Sequence, residues 1–109
     1  MFFKFLKKQP KELTSDDQEI LLQILEIIKS TINPETELIF SYFESVEKLI
    51  RELDELSEAV KNGNLESLEE LSMHFAPTSS FQELSIQNGW SDEYLKLAES
   101  FDRIYSNYK

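Results

Sequence analysis

One imidazole and a group of carboxylates are the side chains here whose types and spacing suggest chemistry. His74 is the only histidine, and Ser72, Thr78, Ser79 and Ser80 are its near neighbours in the chain. A serine beside an imidazole that an acid holds in place is the arrangement of nucleophile and base, and Glu70, one helical turn before His74, is the acid expected to reach it. No Gly-x-Ser-x-Gly turn accompanies the group. Glu52, Glu55, Glu69 and Glu70 form the second set. Carboxylates in such pairs can hold Mg²⁺ against phosphates, although glutamates three apart are also what any solvated helix face carries. A single histidine rules out the two Glu-x-x-His pairs of a di-iron bundle. The residues alone therefore assign no catalytic side chain, no metal ligand and no cofactor.

The stretch containing Glu52, Glu55, Glu69 and Glu70 resembles the metal-binding half of all-α nucleoside triphosphate pyrophosphohydrolases. In that family a Glu-x-x-Glu pair on one helix faces a Glu-x-x-Asp pair on the next. The resemblance implies a Mg²⁺ site, but Met73 stands where the aspartate is expected, and Glu99-x-x-Asp102 comes one helix too late. A divergent enzyme of this kind, with an incomplete Mg²⁺ site, is the alternative reading.

The elements that must position these residues come from a chain of 109 residues, 40% of them hydrophobic, with eight Phe and four Tyr. That is one domain, 1–109, with apolar mass enough for one modest core. The absence of cysteine removes disulfides, thiolate metal sites and thiol nucleophiles together, and permits a reducing compartment; the expected location is cytoplasmic. Twenty-one acids against eleven bases give a net charge of −10. A duplex carries one negative charge per ~1.7 Å of axis, so direct nucleic-acid binding is not expected. A basic protein is the better electrostatic match.

The charge is unevenly placed. Residues 1–12 hold four lysines and one acid among Phe2, Phe3, Phe5 and Leu6, whereas Glu35 to Glu70 holds eleven acids against Lys48, Arg51 and Lys61. Lysines break the N-terminal apolar run too early for a signal peptide, which needs about seven to fifteen apolar residues, or for a membrane span, which needs about 20. The expectation is a basic and aromatic segment that folds onto the core.

Caps and periodicity predict an all-α fold, an antiparallel bundle of three long and two short helices. Ser15 with Gln18 reads as a capping box for a first helix with Ile20, Leu21, Ile24, Leu25 and Ile28 on its apolar face. Asn33 and Pro34 stop it and open a second, expected over 34–61, with Ile39, Tyr42, Val46, Leu49, Leu53, Leu56 and Val60 in a seven-residue repeat. Gly63 ends that helix and Asn64 caps a third over 65–75. Ser80 with Glu83 reads as a capping box for a short fourth. Ser91 caps a fifth along Tyr94, Leu97, Phe101 and Ile104, with Trp90 stapled onto Leu95.

Phe75 to Ala98 contains Phe-Ala-Pro-Thr-x-x-Phe-Gln-Glu-x-Ser-x-x-Asn-Gly-Trp-Ser-Asp-Glu-Tyr-Leu-x-Leu-Ala. This is similar to the signature of a family of small, functionally uncharacterised bacterial all-α domains, and the resemblance implies an immunity-type protein beside a secreted toxin. The expected function is a non-catalytic interaction domain that binds a basic protein partner. Glu44, Glu47, Glu52, Asp54, Glu55 and Glu58 would supply its acidic face, continued by Glu66, Glu69 and Glu70 on the third helix, with Tyr42 and Phe43 as anchors.

Overall fold

The computed structural model describes residues 12–39, 41–77 and 79–108. The expected basic segment, apart from Glu12, lies outside them. Regular structure among the described residues is helical throughout: α1 (Ser15–Ser30), α2 (Val46–Lys61), α3 (Glu66–His74), α4 (Ser80–Gln87) and α5 (Ser91–Ser106). The all-α expectation holds, and no strand occurs among these residues.

Thr14, one residue before the expected cap, opens α1, its hydroxyl accepting the Asp17 N–H at 3.2 Å. Gln18 does not close a capping box. Its amide donates to the Val60 and Lys61 carbonyls at 2.8 and 3.1 Å, satisfying acceptors that the end of α2 leaves without an intrahelical donor. Leu21, Ile24, Leu25 and Ile28 are buried, while Ile20 and Ile27 stand 40% and 38% exposed, so the buried stripe is narrower than the apolar one.

The largest departure from expectation is at α2, which starts at Val46 rather than Pro34. Asn33 and Pro34 begin a turn, not a helix: Asn33 Oδ1 accepts the Glu35 N–H at 2.7 Å and Thr36 Oγ1 accepts the Asn33 N–H at 2.9 Å. The stretch that follows is rich in Thr, Ile, Ser and aromatic residues, all weak helix formers. Ser45 then supplies a true cap, its Oγ accepting the Lys48 N–H at 3.1 Å. Leu49, Leu53, Leu56 and Val60 are buried as expected, but Ile39 and Tyr42 are exposed.

Gly63, at φ +74°, ends α2 as the spacing predicts. The Asn64 N–H reaches Ala59 O at 3.1 Å and the Gly63 N–H reaches Val60 O at 2.9 Å, the paired bonds of a Schellman motif. Asn64 Oδ1 accepts the Glu66 N–H at 2.9 Å to open α3. Ser80 caps nothing, since Ser79 is the residue before α4 and its hydroxyl donates to Met73 O at 2.7 Å. Trp90, not Ser91, sits at the α5 boundary, without a side-chain cap. Its ring packs on the core, and Leu95 is left 59% exposed rather than stapled beneath it.

α1 packs most extensively on α2, with further contacts of α1 to α5, α4 to α5, α2 to α3 and α3 to α4. Aliphatic side chains fill the α1 and α2 side of the core. Among α3, α4 and α5 a cluster of rings joins Leu68, Leu71, Leu84, Leu97 and Ile104 in the core: Phe75 stacks on Phe101 at 4.9 Å and on Tyr94 at 5.8 Å, and meets the edge of Phe81 at 5.2 Å. Each such ring, fully buried, contributes about 1.5–3 kcal/mol.

Candidate functional site

The lone imidazole does sit between a hydroxyl and a carboxylate, though only one of the two is an expected partner. His74 Nδ1 lies 2.6 Å from Ser80 Oγ and Nε2 lies 3.2 Å from Glu52 Oε2. Ser80 was among the candidates; the acid is Glu52 of α2, not Glu70. A carboxylate only accepts, so Nε2–H donates to Glu52, and in the neutral ring Nδ1 accepts the Ser80 O–H. Phe43 and Phe81 stack on the imidazole with centroids 5.8 and 4.7 Å away.

This line joins four parts of the chain: α2 through Glu52, the end of α3 through His74, the first residue of α4 through Ser80, and the segment before α2 through Phe43. Ser80 is 4% exposed, and its hydroxyl is engaged with the imidazole. As folded, the group is a tether.

The carboxylates proposed for a cation are drawn apart. Glu52 is turned to His74, and Glu69 Oε2 accepts the Tyr105 hydroxyl at 3.0 Å. Among the described residues no three His, Cys, Asp or Glu side chains are placed to share a metal ion.

The expected acidic face is divided as well. Asp54 pairs with Lys29 at 2.7 Å and Glu44 pairs with Lys48. Glu47, Glu55 and Glu58 stand exposed on α2. With about 3.6 residues per turn, Glu47, Asp54 and Glu58 share the side opposite Leu49, Leu53, Leu56 and Val60, with Arg51 among them, and Glu55 lies to one flank.

The two expected anchors part company. Tyr42 is 79% exposed, whereas Phe43 is turned inward onto His74. Between them the backbone makes a sharp reversal, with Tyr42 at φ +72°, the only described residue other than glycine with positive φ.

The structure also brings in residues that the sequence reading left in minor roles. Asn88 was expected only to end α4. Its Oδ1 accepts the Glu37 N–H at 2.8 Å, and its Nδ2 donates to Glu37 O at 2.9 Å and to Leu84 O at 2.8 Å. Ser41 is fully buried, donating to Leu38 O at 2.8 Å and accepting the Phe43 N–H at 3.4 Å. A polar residue inside an apolar run, at position 41, was the available signal. The match of Asn88 to Glu37, far apart in the chain, left none.

Comparison of the chain with family models, with curated proteins and with solved structures finds no match to any of the three.

Proposed function

We propose that this chain is a non-catalytic interaction domain, an antiparallel helical bundle of the bacterial immunity type acting in the cytoplasm, that binds a basic protein partner. The observation that carries the reading is the state of the acids on α2. Glu47, Glu55 and Glu58 are exposed and project from a helix whose opposite side is buried in the core. A rigid helix holding carboxylates that form no ion pair among the described residues attracts a positive surface and repels a negative one. The antiparallel arrangement draws support from Gln18, early in α1, reaching the end of α2, while Lys29, late in α1, reaches Asp54 in its middle.

The test uses the protein encoded by the neighbouring reading frame, titrated into the full chain by calorimetry. Binding is expected, and reversing Glu47, Glu55 and Glu58 to Lys should weaken it at least about tenfold while the melting temperature changes little, because all three side chains are exposed. Equal affinity for wild type and the triple variant, or no binding by either, would sink the reading.

A further inference from the structure

The connection from α1 to α2, residues 31–39 and 41–45, is longer than the ~12 residues beyond which structureless loops are uncommon in compact domains and usually functional. It is irregular but closely held. Asn33 and Thr36 close its first turn. Asn88 grips both backbone groups of Glu37. Ser41 is buried with its hydroxyl spanning Leu38 and Phe43, and Phe43 lies flat on the His74 ring. What these ties leave outside is apolar: Ile39 is 74% exposed and Tyr42 is 79% exposed.

A bulky residue at φ +72° is strained in a way that a glycine would not be. The strain turns the Tyr42 ring outward between two neighbours that are tied inward. An exposed aromatic on a backbone held this closely has little main-chain freedom left to lose on binding, and tyrosine is enriched among residues that dominate interface energies. The flanking charge is net negative, since Glu35, Glu37, Glu44 and Glu47 flank the two apolar residues in sequence and all are exposed, with Lys48, paired to Glu44, the nearest base in sequence.

We infer that Ile39 and Tyr42 form a preorganised anchor that inserts into an apolar cleft of a protein partner whose rim is basic. This deepens the interaction reading and rests on it: the α2 acids supply attraction, and the loop supplies the buried contact. A second copy of this chain is the poorer occupant, because both copies would bring a carboxylate rim to the same contact. Asn88, Ser41 and His74 are positioning residues for the anchor. On this account the uncommon residues around positions 74–88 exist to hold the loop.

The test places the photo-reactive residue p-benzoylphenylalanine at position 42 of the full chain, cross-links in lysate of the native host, and identifies, purifies and titrates the captured protein. Tyr42→Ala should weaken its binding about tenfold or more with the fold unchanged. Asn88→Ala, which leaves Tyr42 in place, should weaken it as well and remove the exchange protection of the Glu37 amide. Several results would overturn the anchor. If the purified partner binds Tyr42→Ala within about twofold of wild type but loses affinity for the reversal of Glu47, Glu55 and Glu58, the interaction reading stands and the anchor falls. If no captured protein rebinds once purified, both fall. A cross-link between two copies, with a dimer that Tyr42→Ala dissolves in sedimentation, would give the patch to self-association instead.

Discussion

The Tyr94 phenol is placed where its charge state matters to the fold. Tyr94, on α5, is 4% exposed with its ring stacked on Phe75, and its hydroxyl donates to Phe75 O at 3.2 Å, an acceptor that the end of α3 leaves without a helical donor. Burial, and secondly the negative charge of Asp102, hold its pKa above the ordinary 10.0. The folded chain therefore keeps a proton that the unfolded chain releases near pH 10, so the folded state binds more protons and stability falls as pH rises beyond that point. Below it this group leaves stability unchanged. Tyr94→Phe should cost about 1 kcal/mol at neutral pH for the lost hydrogen bond and make the alkaline fall shallower. Urea unfolding at pH 7 and at pH 10.5 checks this, and equal alkaline slopes in the two proteins would show that Tyr94 does not drive the fall. His74 teaches the complementary point: a histidine between a serine and a glutamate suggests catalysis until the 4% exposure of Ser80 shows how little of that residue reaches the surface.

At the scale of elements, α2 carries the hydrophobic pattern with least ambiguity. Leu49 and Val60 are fully buried and Leu53 and Leu56 nearly so. Leu49→Asp would set an unpaired carboxylate among Leu and Ile side chains, a loss well above the ~1 kcal/mol of an average substitution. Thermal melting should show a large drop or no folded protein, and an unchanged midpoint would mean that the stripe is not core. The same seven-residue spacing misled further upstream, because Ile39 and Tyr42 continue the rhythm of Val46 and Leu49 without continuing the helix. Periodicity reports where apolar residues recur and says nothing of the Asn33 turn, the Ser45 cap or the grip of Asn88, each of which decides the backbone locally. The five helices and most of the core were legible from the apolar period and, between α2 and α3, from Gly63 and Asn64, whereas the other expected caps are not the ones the chain uses. The loop was not, since its stability comes from contacts far apart in sequence, Glu37 with Asn88 and Phe43 with His74. Of the candidate site, the exposed acids and Tyr42 were legible as residue types. Their division into paired and unpaired carboxylates was not, because it depends on where α1 brings Lys29.

For the molecule as a whole, the proposed interaction would divide the work of binding between charge, which sets rate, and apolar contact, which sets lifetime. All 21 acids lie from Glu12 onward while four of the 11 bases precede it, so the helical part is more negative than the −10 of the full chain. Such a field reaches about 10 Å at 0.1 M salt and about 3 Å at 1 M. A partner drawn in by Glu47, Glu55 and Glu58 should thus associate more slowly as salt rises, about tenfold or more across that range, with a smaller change in dissociation. The Ile39 and Tyr42 contact is short-ranged and screened by nothing. Tyr42→Ala should leave the association rate and its salt dependence nearly intact and speed dissociation. Surface plasmon resonance or stopped-flow measurement of both rates at several salt concentrations separates the two contributions. An association rate flat in salt would reduce the acids to solvated surface. A Tyr42→Ala effect confined to association would mean that the ring takes part in encounter rather than in the bound state, and the division of roles would have to be abandoned.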